Sequence, residues 1–445
     1  MKKNNRNPFL LLVALLFTLP IYAQQTEPIA PAPEMEQAQE IEHAPQQEQV
    51  QLVKQMPPVM TGVEVLQEDN FKLLAGKRVG LITNPTGVDG QLRSTVDILF
   101  EAPEVELVAL FGPEHGVRGD SYAGDKVSSN KDPKTGLPVF SLYGKTRKPA
   151  PEMLKGIDVL VYDIQDIGCR SFTYINTMGL AMEAAGEAGI DFVVLDRPNP
   201  LGGNRIEGSL VEDKFISFVS QYKIPYIYGL TCGELAKFLN GEHRLKTSCH
   251  LQVVPMKNWT RSMTYSETGL QWIASSPHIP HAATSYFYPI SGIVGELGYL
   301  SIGVGYTIPF EMFGAPWIDG AQLADRMNAL QLPGVLFRPI FLKPFYATFV
   351  GEQIQGVQVH LVDPSAVQFT EIQFYLMQEL AEMYPDKKVF EHANVKRFNM
   401  FDKVSGSDYI RKTFSKRYRF DDIKAYWNKD KAAFKELSKQ YYLYK

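Results

Sequence analysis

Five short apolar runs mark the first half of the chain, and each stops at a cluster of Gly, Pro, Asn, Asp or Tyr residues. Arg78 to Thr83 runs into Asn84-Pro85-Thr86-Gly87, and Val105 to Phe111 into Gly112-Pro113-Glu114-His115-Gly116. Leu137 to Leu142 ends at Tyr143-Gly144, Asp158 to Tyr162 at Asp163-Ile164-Gln165-Asp166, and Phe192 to Leu195 at Asp196-Arg197-Pro198-Asn199. Short continuous apolar runs bounded by turn residues predict buried strands. Between the last two, Phe172, Ile175, Met178, Met182 and Ala185 recur at helical spacing. Strands alternating with helices predict βαβ units and a mostly parallel sheet covered on both faces.

Parallel strands end on the same side of their sheet, so the polar residues that follow them belong on one rim. Asn84, Glu114, His115, Asp163, Asp166, Arg170, Asp196, Arg197 and Asn199 are expected to converge there, although they lie far apart in sequence. No Gly-x-Gly-x-x-Gly follows the first strand and no P-loop is present, so a bound dinucleotide or nucleoside triphosphate is not expected, nor any other cofactor. After residue 285 the texture changes to aromatic and Gly-rich segments, then to mixed strand and helix, ending in the basic, aromatic stretch Ile410 to Lys445. The expected fold class is α/β: a Rossmann-like, mostly parallel sheet over 59–285 with a second, smaller α/β domain over 286–445. The seam between them is a natural cleft.

Composition changes this picture mainly at the N-terminus. Lys2, Lys3 and Arg6 precede the apolar run Phe9 to Leu19, and Ile21-Tyr22-Ala23 forms a small-residue cleavage site before Gln24. This pattern predicts a secretory signal peptide over 1–23 and an exported protein, periplasmic or extracellular. Residues 24–58 are dominated by Gln, Glu, Pro and Ala, too little apolar surface to offset ordering entropy, and are expected to form a disordered tether. No later apolar run approaches the roughly 20 residues that span a bilayer, so stable membrane insertion is not expected. A formal net charge of -4 leaves no basic footprint for nucleic acid. Cys169, Cys232 and Cys249 are odd in number, so at least one is unpaired.

The motifs carry a family resemblance. Asn84-Pro-Thr-Gly87, Phe111-Gly-Pro-Glu-His-Gly-Val-Arg-Gly119, Gly124-Asp125, Tyr162-Asp-Ile-Gln-Asp-Ile-Gly168, Asp196-Arg-Pro-Asn-Pro-Leu-Gly202, Thr231-Cys-Gly-Glu-Leu-Ala236 and Gly314-Ala-Pro-Trp-Ile-Asp319 occur in order. Together they resemble the exo-acting β-N-acetylmuramidases of the NamZ type from about residue 60 onward. The resemblance implies a Rossmann-like domain with a smaller C-terminal domain, and release of terminal N-acetylmuramic acid from peptidoglycan fragments. It places the family's proposed catalytic glutamate on Glu114. Glycoside cleavage needs a proton delivered to the leaving oxygen, which a carboxylic acid in a suitable pocket supplies. The competing role for Glu114 is to cap its turn or pair with Arg118.

Several roles stay open at this point. His115 either orients Glu114 and holds a sugar hydroxyl or packs within its loop. Asp163 and Asp166 either supply a second carboxylate or cap the following segment; the substrate's own acetamido oxygen is the alternative nucleophile. Arg118, Arg170 and Arg197 are candidates for the lactyl carboxylate that distinguishes N-acetylmuramic acid from N-acetylglucosamine, and each is equally suited to pairing with a strand-end aspartate. Tyr143 and Tyr174 stack on a sugar or belong to the core. Asn84, Asp196, Asn199, Tyr228, His278 and Glu296 complete the set of candidate substrate contacts. The chain departs from the family pattern at Tyr228 (usually histidine), at Pro277-His-Ile-Pro-His281 and in Glu296-Leu-Gly-Tyr-Leu-Ser-Ile-Gly-Val-Gly-Tyr306, where Tyr299 and Val304 replace an asparagine and an arginine. His278 and His281 have metal-ligand spacing but no third ligand, and no metal is assigned. The expected function is therefore an exported glycosidase acting on a peptidoglycan-derived glycan or muropeptide, the alternative a silent or respecified relative that binds such fragments.

Overall fold

The computed structural model describes residues 57–119 and 130–445. The expected signal peptide and tether, together with Asp120, Gly124 and Asp125, lie outside the described residues.

Seven strands form the larger sheet: β1 (Arg78–Thr83), β2 (Glu106–Gly112), β3 (Asn130–Lys131), β4 (Pro138–Ser141), β5 (Val159–Asp163), β6 (Asp191–Leu195) and β7 (His250–Val254). Their order is β3-β4-β2-β1-β5-β6-β7, all parallel except the β3–β4 pair at one edge. Alternate side chains feed opposite faces, as the pleat requires. Leu160, Tyr162, Phe192 and Val194 join one apolar cluster with α3 (Tyr174–Ala188) and α4 (Cys232–Gly241). Val161, Val193 and Leu195 join the other, with α1 (Gly62–Glu68) and α2 (Thr95–Glu101). Every residue of β5 is buried, which is why its sequence reads as a continuous apolar run rather than an alternation.

The five strands read from the sequence are β1, β2, β4, β5 and β6, each displaced by a residue at most at either end, and the helical spacing from Phe172 to Ala185 corresponds to α3. β7 escaped the pattern because its residues His250, Leu251, Gln252 and Val253 include none that is fully buried. The later half of the chain contributes α5 (Thr284–Gly295) and a separate antiparallel sheet of β8 (Met312–Ala315), β9 (Val335–Leu342) and β10 (Ile354–Leu361), in the order β8-β10-β9. α6 (Gly320–Ala329) and α7 (Ile372–Met383) cover it, with Leu323, Met327, Phe337, Val357, Phe374 and Met377 in a shared core.

The chain runs outward from β1 through β2 to β4 on one side and from β5 through β6 to β7 on the other. The loops after β1 and β5 therefore diverge at the carboxyl ends of the central strands, the place where open α/β sheets bind their ligands.

Candidate active site

Pro113 to Gly116 form a tight turn at the end of β2, closed by the Gly116 amide donating to the Pro113 carbonyl at 3.0 Å. His115 occupies its third position with φ of 74°, a conformation that favours glycine and costs a β-carbon-bearing residue of order 1 kcal/mol or more. Such strain persists where the surroundings enforce it. Gly112 allows this turn to fold back, since a β-carbon there would stand 3.0 Å from the Val117 nitrogen. Gly119 brings the loop against Pro85 of the loop after β1, where a β-carbon would meet the proline ring at 2.6 Å.

The turn presents Glu114 to one phenol and places it within electrostatic reach of two more. Tyr143, just beyond β4, donates a hydrogen bond to the Glu114 carboxylate; burial and this bond push the Tyr143 hydroxyl up to about 12. Tyr174, at the start of α3, and Tyr288, on α5, both feel the Glu114 charge, and burial raises both phenols. The Tyr174 hydroxyl approaches the Asn84 side chain, which opposes that rise, and donates to the Ser275 carbonyl. Ser171 links the Tyr288 hydroxyl at 3.1 Å to that of Tyr226 at 2.9 Å. His278 lies within electrostatic reach of His115, and burial followed by that neighbour lowers its pKa. Its Nε2 pairs with the Tyr346 hydroxyl at 2.9 Å, which fixes the β9–β10 loop beside the site. Glu114, His115, Asn84, Tyr143, Tyr174 and His278 are thus brought together.

The other candidates are committed to the scaffold. Asp163, fully buried, forms a two-point ion pair with Arg197 (2.5 and 2.8 Å) and accepts from the Thr95 hydroxyl, while Arg197 also donates to the Val88 carbonyl. Asp166 lies beneath the rim, accepting from the Gly168 amide and the Tyr228 hydroxyl. Tyr228 is buried, so at this departure from the family pattern a phenol serves as a buried donor. Asp196 accepts from the Thr231 hydroxyl (2.7 Å), the Gly233 amide (2.8 Å) and the Tyr444 hydroxyl (2.6 Å), holding the start of α4. Asn199 bridges the Leu201 amide and the Leu230 carbonyl, both at 2.9 Å. Arg118 pairs with Asp132 at 2.8 Å and Asp97 at 3.5 Å. Arg170 is wholly buried against backbone carbonyls. Glu296 ends α5, where burial raises its carboxyl and Arg397 opposes the rise. Tyr299 packs on Trp317 and donates to the Lys387 carbonyl, and Val304 sits against the second core.

Among the described residues no group of three His, Cys, Asp or Glu side chains is arranged to hold a metal, and no helix is long and apolar enough to cross a membrane. Cys169, Cys232 and Cys249 are all free thiols.

Burial pushes Asp166 and Asp196 up to about 6. Their unfolded values lie near 3.9, so between about pH 4 and 6 the folded state binds the extra protons and their contribution is lost as pH rises through 6. Urea unfolding is expected to show greater stability at pH 5 than at pH 7, by on the order of 1–3 kcal/mol. Asp196→Asn should flatten that slope; equal stability of the wild type at the two pH values would contradict the raised pKa values of these buried carboxyls.

These features define a doubly wound α/β protein with a tyrosine-bonded carboxyl group at the end of β2, beside its topological switch point. The chain belongs to the exo-β-N-acetylmuramidase NamZ family, a family of glycosidases: the family's N-terminal domain model matches residues 79–283 and its C-terminal domain model residues 286–444. It is 45% identical over 388 residues to the peptidoglycan β-N-acetylmuramidase NamZ of Bacillus subtilis strain 168, covering 87% of this chain and 92% of that protein. Two crystal structures of DUF1343 family proteins from Bacteroides fragilis NCTC 9343 share the fold. One is 65% identical with a TM-score of 0.85 and the other 30% identical with a TM-score of 0.68, each matching 87% of this chain and 99% of its own.

Proposed function

We propose that this chain is an exported exo-β-N-acetylmuramidase that removes terminal N-acetylmuramic acid from peptidoglycan fragments, with Glu114 as its proton donor. The observation that carries this reading is the placement of Glu114 on a strained turn at the end of β2, beside the switch point, where Tyr143 hydrogen-bonds it and its charge reaches Tyr174 and Tyr288. The peptidoglycan substrate comes from the B. subtilis relative. Glu114 delivers a proton to the glycosidic oxygen as the bond to the anomeric carbon breaks. The Tyr143 hydroxyl then steadies the carboxylate that remains.

With Asp163 locked to Arg197 and Asp166 held under Tyr228, the loop after β5 offers no carboxylate to the opposite face of the sugar. In this reading the substrate's 2-acetamido oxygen attacks the anomeric carbon as the protonated leaving group departs, and water opens the resulting oxazolinium ring with the Glu114 carboxylate taking its proton.

The test is release of free N-acetylmuramic acid from the β-linked disaccharide N-acetylmuramyl-N-acetylglucosamine by the purified chain. Release from that end and none from N-acetylglucosamine-terminated fragments supports the assignment. Binding without release supports a recognition protein instead. Export is tested separately by mass spectrometry of the protein from fractionated cells, with Gln24 as the expected new N-terminus.

A further inference from the structure

N-Acetylmuramic acid carries a carboxylate that its neighbour N-acetylglucosamine lacks, so an enzyme selective for it needs a cation at the rim. The three arginines singled out by sequence are all engaged: Arg118 with Asp132 and Asp97, Arg197 with Asp163, and Arg170 in a cage of backbone carbonyls. Lys148, in the loop after β4, is paired with Glu187 at 2.6 Å and Glu183 at 3.7 Å. Arg147 of the same loop differs. Its guanidinium lies over the Phe218 ring at 4.2 Å, it has no carboxylate partner among the described residues, and its side chain is exposed. Its charge nevertheless reaches the Tyr143 hydroxyl, which donates to Glu114.

We propose that Arg147, stacked on Phe218, binds the lactyl carboxylate of the substrate and sets selectivity for N-acetylmuramic acid. This rests on the proposed function and names the group that reads its substrate. Stacking on an aromatic face leaves the N–H edge of a guanidinium open for a planar, two-point bond to a carboxylate and reduces the freedom lost when that bond forms. Asn176 fixes the platform by donating to the Phe218 carbonyl at 2.6 Å, and it does so from the first turn of α3, two residues beyond Tyr174. The loop after β4, the segment after β6 that carries Phe218 and the first turn of α3 are thereby joined.

The experiment compares the disaccharide bearing a free lactyl acid with its lactyl methyl ester. The wild type should favour the acid, and Arg147→Met, which keeps an apolar chain on Phe218, should reduce the acid-to-ester ratio of kcat/KM by about 10-fold or more, as expected for a charge-assisted bond. Arg147→Lys should retain part of the preference, and salt should weaken it in the wild type. The same ratio is read from Kd by calorimetry, so a chain that binds without cutting still tests Arg147. An unchanged ratio in Arg147→Met, with release of the sugar intact, overturns this assignment alone; no release and no binding by the wild type overturns the proposed function with it.

Discussion

Glu114→Gln is expected to lower kcat on the disaccharide by about 100- to 10,000-fold, the range over which a positioned proton donor contributes. The amide is nearly isosteric and its oxygen still accepts from Tyr143, so the turn and the fold should survive, as unchanged urea unfolding would show. The replacement removes the only property the chemistry needs, an ionisable proton. An N-acetylglucosamine alkoxide leaves poorly without that proton, whereas a dinitrophenolate leaves well. In kcat/KM, which reports the bond-breaking step, the loss should therefore be much smaller on the 2,4-dinitrophenyl β-glycoside of N-acetylmuramic acid. An equal loss on both substrates would point to a structural role for Glu114, and no loss on either would remove it from the chemistry.

Arg170→Met should be the most destabilising of the substitutions considered. The guanidinium is fully buried, donating through its terminal nitrogens to the carbonyls of Ser209 at 2.8 Å, Ile224 at 2.7 Å and Val404 at 3.0 Å, and through Nε to the Ser220 hydroxyl at 3.2 Å. Burial lowers its pKa to about 10, and its ordinary partners, carboxylates, are absent from these bonds. Methionine fills much of the volume but leaves the three carbonyls without donors, each orphan costing about 1–3 kcal/mol. Part of that is offset because the cation's own desolvation is no longer imposed. A net loss of about 3–5 kcal/mol is expected, a large share of the 5–15 kcal/mol by which folded domains are stable. Lysine cannot reach the separate carbonyls with one ammonium and should rescue little. The shift in urea midpoint measures this, and a loss below about 1 kcal/mol would show that water or backbone movement replaces the donors. Val404 lies more than two hundred residues from Arg170, so the cage ties the late helices to the loop after β5.

The apolar runs by themselves determined most of the larger sheet. β1, β5 and β6 are short strands buried on both faces and bounded by turn residues, and nothing in the rest of the molecule needed to be known to read them. The rim position of Glu114 was legible for the same reason, because the end of a parallel strand fixes the side of the sheet on which its loop emerges. β7 was not, since a half-buried edge strand carries no continuous apolar signal, and the antiparallel β8, β9 and β10 owe their order to pairing with one another and with α6. Tertiary structure alone decided which rim residues brace the scaffold. Asp163, Asp196, Arg118, Arg170 and Arg197 are each held by side-chain or carbonyl partners that lie from 14 to 248 residues away. A buried charge must be paired or hydrogen-bonded wherever the fold brings it, so only the folded chain shows which of these side chains hold the scaffold.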